Sequence, residues 1–190
     1  SKLRDEHKDR FKKEGVPLTF LTFICVAAIR ALRENPDLNA RVLEGSYVKL
    51  RDINLGVAVD TPQGLVVPSI KQADQLSLRG VAANIDELAS RARTGKITAD
   101  DLSSTTFTVS NPGLKGNLFG GAIISQPNVG ILRMGEIKKR PVGVTRDGED
   151  AERQVRHALG LREVVVLLAD VFPRQRELAD RIVRDLAQAH

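Results

Sequence analysis

The chain has 190 residues, 42% of them hydrophobic, and carries a formal charge of +5, so it can bury one sizeable core and is expected to be a single domain spanning residues 1–190. One cysteine excludes an internal disulfide framework, the longest apolar run is too short to cross a membrane, and neither a phosphate-cradling glycine motif nor a His/Cys cluster for zinc is present. The positive charge does not indicate nucleic acid: basic residues such as Lys138, Lys139 and Arg140 are interleaved with acids elsewhere, and aromatics amount to only 4%, too few for a stacking platform.

In chain order, Lys2 to Lys13 has the composition of a highly charged, solvated helix, and His7 belongs to it. An apolar helix follows over Leu18 to Leu32, with Cys25 among Phe23, Ile24, Val26 and Ala27, where a lone cysteine is a small buried hydrophobe rather than a nucleophile. Ile53 to Asp60 alternates as a strand, Thr61-Pro62-Gln63-Gly64 supplies turn chemistry, and Leu65 to Pro68 returns, which predicts a hairpin. Lys71 stands just after the hairpin strand Leu65 to Ile70, the position of an ordinary exposed lysine at a strand end, though a positive charge there could also attract a nucleotide phosphate. Leu78, Val81, Ala82, Ile85, Leu88, Ala89 and Ala92 recur at helical spacing between a Ser77 cap and a Gly95 stop. Thr98-Ala99-Asp100-Asp101 then has the form of a capping box opening a short turn.

The segment Thr105-Thr106-Phe107-Thr108-Val109-Ser110-Asn111-Pro112-Gly113 alternates apolar and hydroxyl residues, which predicts a strand that delivers Ser110 at its end. A hydroxyl-rich strand face is most often a solvated or cross-strand face. The glycine-dense loop that follows holds Phe119, Gly120 and Gly121, either as channel walls or as a flexible connection. Asp150 to Gly160, with His157, has the charge of a surface helix or loop, Val164 to Asp170 is a strand, and Glu177 to Ala187 is a helix.

The hairpin Asn54 to Pro68, Pro17-Leu18-Thr19-Phe20, Leu38-Asn39-Ala40, Gly95-Lys96-Ile97-Thr98, Thr106-Phe107-Thr108-Val109-Ser110-Asn111 and Ile123-Ile124 to Ile131-Leu132 fall in an order that resembles the catalytic core domain of the dihydrolipoamide acyltransferases of 2-oxo acid dehydrogenase complexes. The resemblance covers roughly residues 15–142. It implies an α/β fold similar to chloramphenicol acetyltransferase, a mixed sheet covered by helices, assembled as a homotrimer and then as a larger cubic or icosahedral core. It also implies acyl transfer between the thiol of dihydrolipoyl-lysine and that of coenzyme A as substrate, with the lipoyl group on a separate domain, no metal, and the E1 and E3 subunits and lipoyl domains as partners. Ser110 matches the family's oxyanion donor, Asn111 shapes the turn beside it, and Phe119 and Gly120 match the walls of the substrate channel. No membrane or nucleic-acid partner is implied, and the compartment would be bacterial cytoplasm or the mitochondrial matrix. The chain starts after the strand and helix that open family cores, so a fragment lacking the lipoyl and peripheral-subunit-binding domains is expected.

The sequence departs from the family at its end. The family's Asp-His-Arg-x-x-Asp-Gly signature, whose histidine is the general base, aligns with Asp170 onward, and this places Val171 at the histidine, Phe172 at the arginine, Gln175 at the second acid and Arg176 at the glycine. Three histidines are present; His190 is terminal, and His157 is the substitute base the sequence offers. Two expectations follow: an acyltransferase with a relocated base, or a structural member that keeps the scaffold without the reaction.

Overall fold

The computed structural model describes residues 2–112, 121–135, 140–146, 149–155 and 165–166, the last three stretches by their backbone pairing. The first helix, α1 (Lys2–Lys13), is the charged one, and it anchors itself through Phe11, its buried apolar residue. The second, α2 (Phe20–Glu34), begins two residues later than the apolar run because Thr19 takes the cap position, its Oγ1 accepting from the Thr22 amide at 3.3 Å. Leu18 is left outside the helix, buried in a small cluster with Phe11 and Ala82 against which Phe23 packs. Residues flanking a cap in this way fix the angle at which the chain enters the helix.

After α2 come the hairpin strands β1 (Ala40–Leu43) and β2 (Ser46–Lys49), paired antiparallel. The Ile53 to Asp60 stretch does not form one continuous strand. It divides into β3 (Leu55–Val57), which enters the main sheet, and β4 (Val59–Thr61), which pairs with β5 (Gly64–Val66) around Pro62-Gln63. The division falls at Ala58, whose amide donates to Val109 O at 3.0 Å as the last bond to the sheet before the chain turns out into the hairpin. Gly64 closes the turn at φ +122°, a backbone conformation that side chains strongly disfavour. The return strand also breaks, and β6 (Ser69–Ile70) comes back to pair with β3.

Helix α3 (Leu78–Arg93) matches its sequence signals at both ends. Ser77 Oγ accepts from the Gly80 amide at 3.2 Å. At the other end Gly95, at φ +70°, donates to Ala92 O while Lys96 donates to Arg91 O, a pairing that satisfies carbonyls the helix itself leaves open. The capping box then forms reciprocally: the Thr98 amide donates to Asp101 Oδ2 at 2.8 Å and the Asp101 amide to Thr98 Oγ1 at 3.2 Å.

Strands β7 (Phe107–Ser110) and β8 (Ile131–Arg133) complete the centre of a five-stranded mixed sheet, which β11 (Val165–Val166) closes in the order β11-β8-β7-β3-β6. The three central strands are parallel; β6 and β11 lie antiparallel at the edges. Alternation divides this sheet into two faces. Leu55, Val57, Phe107, Val109 and Leu132 pack with Cys25, Ala28, Ile29 and Leu32 of α2 and Val81 and Leu88 of α3 in one core. The opposite face carries Gly56, Thr108, Ser110, Ile131 and Arg133, the residues that alternate with them.

One expectation is corrected here. The charged stretch from Asp150 is neither helix nor loop through Val155: β10 (Glu149–Val155) pairs antiparallel with β9 (Arg140–Arg146), residue for residue from Glu149↔Arg146 to Val155↔Arg140. Seven consecutive pairings override the weak helical preference of a sequence such as Ala151-Glu152-Arg153-Gln154. The strand expected over Val164 to Asp170 is described at Val165 and Val166, and the helix expected over Glu177 to Ala187 lies outside the described residues.

Candidate active site

Strand β7 is held firmly at its N-terminal end. Asn54, at the mouth of β3, acts as the hub of a network there. Its amide donates to Thr106 Oγ1 at 3.0 Å, its carbonyl accepts from the Thr106 amide at 2.8 Å, its Nδ2 donates to Ser104 O at 3.0 Å, and its Oδ1 accepts from the Gln72 amide at 2.9 Å. Ser104 and Gln72 both sit at positive φ, +65° and +48°, conformations that persist only where surrounding bonds over-determine them. From the other side Arg41 Nη2 donates to Thr105 O at 2.8 Å, and its Nε donates to Asn128 Oδ1 at 3.2 Å.

The C-terminal end of β7 is organised differently. Its backbone is locked, with Val109 O accepting from Ala58 and Ser110 O from the Met134 amide at 2.8 Å. The Ser110 side chain is only half-buried, and its Oγ forms no hydrogen bond with the described residues. The strand therefore ends, at the C-terminal edge of three parallel strands, on a hydroxyl that has no partner among the described residues. Asn111 follows, also half-buried.

Register adds a residue that the sequence analysis did not single out. Ser110 pairs with Arg133 of β8, so the two side chains leave the same face of the sheet. Arg133 is 3% exposed. The available signal was a lone charge in the apolar run Val129-Gly130-Ile131-Leu132-Arg133-Met134, since arginine is almost never fully buried unless it is paired. Asn54 was missed for another reason: a hub of backbone contacts is invisible until the loops it joins are placed.

The remaining sequence candidates divide as follows. Lys71 stands at the end of β6, on the same sheet but across two strands from Ser110, and its Nζ is engaged with Asp100 Oδ1 at 2.6 Å. A phosphate would have to compete with that carboxylate. Cys25 is fully buried in the helix-side core and burial pushes its thiol up to about 12, so it is no nucleophile. Asp101 is held below the usual carboxylate range, first by the Thr98 hydroxyl and amide and then by Arg91, as part of the capping box. Phe119, Gly120, His157 and Val171 lie outside the described residues. Among the described residues, no group of three His, Cys, Asp or Glu side chains could hold a metal ion, and no helix is long and apolar enough to cross a membrane.

A mixed sheet with helices on one face, whose central parallel strand ends on a serine hydroxyl without a partner among the described residues, defines an α/β protein. The model of the 2-oxoacid dehydrogenases acyltransferase catalytic domain matches residues 1–160, and the chain belongs to that family. The lipoamide acyltransferase component of the branched-chain alpha-keto acid dehydrogenase complex of Bacillus subtilis is 43% identical over 140 residues, which is 73% of this chain and 33% of that relative. The chain thus spans about a third of the length of that curated relative. A probable dihydrolipoamide acetyltransferase from Listeria monocytogenes superposes with a TM-score of 0.75 at 32% identity, covering 96% of this chain and 77% of that one. The dihydrolipoamide acetyltransferase of Azotobacter vinelandii, whose catalytic mechanism has been investigated through a serine, a histidine and an asparagine, gives the same TM-score at 30% identity, covering 97% and 76%.

Proposed function

We propose that this domain transfers an acyl group between the thiol of dihydrolipoyl-lysine and the thiol of coenzyme A, as the core of a 2-oxo acid dehydrogenase complex. The observation that carries this reading is the position of Ser110: its hydroxyl has no partner among the described residues, at the end of a strand whose backbone is bonded on both sides. In the reaction a thiolate sulfur attacks the thioester carbonyl and a new carbon–sulfur bond forms. The carbonyl oxygen becomes an oxyanion that accepts a hydrogen bond from Ser110 Oγ. The original carbon–sulfur bond then breaks, and the departing thiolate takes up a proton. A single preorganised donor of this kind is worth about 3 kcal/mol, or 10²- to 10³-fold in rate.

Asn111 follows Ser110 directly and would shape the mouth of the site, with Phe119 and Gly120 as its walls. Lys71 would serve the phosphates of coenzyme A only by leaving Asp100. A homotrimer, with the site completed between neighbouring subunits and the trimers built into a larger core, is the assembly the family relationship supports. Lipoyl domains and the partner enzymes of such a complex would be its clients.

The general base is the point on which the sequence departs from the family, with Val171 aligned at the histidine and His157 as the histidine the chain offers instead. The test is acyl transfer from acetyl-, succinyl- and isobutyryl-coenzyme A to free dihydrolipoamide, run beside Ser110→Ala and His157→Ala proteins. Turnover that drops with Ser110→Ala supports the reading, and a further drop with His157→Ala assigns the base. A folded, oligomeric protein with no turnover from any donor overturns it in favour of a structural member of the family.

A further inference from the structure

We propose that the turn over residues 98–103, which joins α3 to β7, is a latched strap across the outer edge of β6, and that releasing the latch at Asp101 opens that edge to a strand from a second copy of this chain. The strap lies at β6, two strands from β7 and Ser110, and its action is independent of the acyl-transfer reading.

Strand β6 ends the main sheet, with β3 on its inner side. The Val57 amide donates to Pro68 O at 2.9 Å, so Val57 and Pro68 form a bonded pair. Bonded and non-bonded pairs alternate along an antiparallel ladder. The next pair, Gly56↔Ser69, is therefore non-bonded, and the Ser69 N–H and C=O point outward. Outward groups on an edge strand are a template for pairing with another chain unless something covers them.

Here the edge is covered. The Ser69 amide donates to Asp101 O at 2.7 Å, and Ser69 and Ile70 are 4% and 0% exposed, whereas three of the four residues of the edge strand β2 are exposed. Two residues beyond Ser69, Lys71 Nζ meets Asp100 Oδ1 at 2.6 Å.

The covering carbonyl and the latch belong to one residue. Asp101 Oδ2 accepts from the Thr98 amide at 2.8 Å, from the Thr98 hydroxyl at 2.7 Å and from Arg91 Nη2 of α3. Bonds to a carboxylate are roughly twice as strong as neutral ones. The Asp101 side chain thus closes the turn and ties it to α3, while its carbonyl occupies the sheet edge. The Lys71–Asp100 pair is the weaker hold, because its groups are 41% and 80% exposed and exposed ion pairs contribute little. With the strap lifted, β2 of a second copy is the edge available to pair, since within its own chain it is bonded as a strand to β1 alone. Contact between two different edges is heterologous, so it builds rings or open chains of copies.

The test is hydrogen–deuterium exchange of the Ser69 amide, resolved to single residues by mass spectrometry, together with sedimentation over a range of concentrations. The Ala58 and Met134 amides, which bond inside the sheet, are the references. Wild type is compared with Asp101→Ala, which keeps the covering carbonyl, with Thr98→Ala as the milder opening should the first variant fail to fold, and with Asp100→Ala. The expected result is a Ser69 amide that is protected in the wild type and in Asp100→Ala. In Asp101→Ala it should exchange about tenfold faster or more with the references unchanged, and the protein should grow beyond wild-type size as its concentration rises. An unprotected Ser69 amide in the wild type overturns the strap. Wild-type protection in a folded Asp101→Ala or Thr98→Ala protein, loss in step with the references, or equal loss in Asp100→Ala overturns the latch. An opened edge with wild-type size at every concentration overturns the second copy as its occupant.

Discussion

The two ends of β7 are built on opposite principles. At the N-terminal end Asn54 links Thr106, Ser104 and Gln72, and Arg41 holds Thr105, so one network of side-chain and backbone bonds fixes the two residues that lead into the strand. At the C-terminal end only the backbone is secured, and the Ser110 hydroxyl is left without a partner among the described residues. The difference shows how a small sheet can fix a strand without engaging the side chain at its end: rigidity is concentrated about 13 Å upstream, four strand steps from Ser110 to Thr106.

The comparison can be broken most decisively at its functional end. Ser110→Ala is expected to reduce kcat/KM for acyl transfer by about 10²- to 10³-fold while shifting the unfolding free energy by less than about 0.5 kcal/mol, as steady-state kinetics and urea unfolding would record. At the structural end Asn54→Ala removes two exposed side-chain hydrogen bonds, to Ser104 O and from the Gln72 amide, which should cost about 1–3 kcal/mol in the same unfolding experiment. Gly56→Ala sharpens the picture between the two ends. A Cβ there would come within 2.6 Å of Thr105 Cγ2 and 2.8 Å of Val67 Cγ1, and overpacking of this kind costs about 1–3 kcal/mol.

Smaller effects should appear away from the strand. Thr98→Ala opens the reciprocal box with Asp101 and should cost about 1 kcal/mol. Because the Asp101 carboxyl is depressed in the folded state, its contribution is fully present above the ordinary carboxylate range. It is lost only as pH falls through the lowered folded value, so acid unfolding below about pH 4 should be less steep in Thr98→Ala. Cys25 has the opposite sign. Burial raises its thiol to about 12, so the neutral thiol adds stability that is complete below the unfolded value near 9 and declines as pH rises toward 12. It should stay unreactive to thiol reagents until the protein unfolds.

How much of this was legible in the sequence depended on whether the signal was local. The α3 caps at Ser77 and Gly95, the Thr98–Asp101 box, the buried Cys25 and the strand that ends on Ser110 all act within a few residues of themselves, and their chemistry could be read directly. The split of the Ile53 to Asp60 stretch could not, because it depends on Ala58 meeting Val109 across fifty residues of chain. The β9–β10 hairpin was hidden by composition, since its charges suit a helix surface as well as a strand exposed to water. Arg133 stood in plain view as a charge in an apolar strand, but its pairing with Ser110 is visible only in the register of β7 and β8.

The measurement that tests the division of β7 most directly is a crossed comparison of Ser110→Ala and Asn54→Ala, each assayed for acyl transfer at a temperature where it is fully folded and for unfolding free energy in urea. The account predicts that the serine variant loses activity and keeps stability, while the asparagine variant loses stability and keeps activity within about threefold. If Ser110→Ala retains wild-type turnover, or if both variants lose activity and stability together, the separation between a clamped end and a presenting end does not exist.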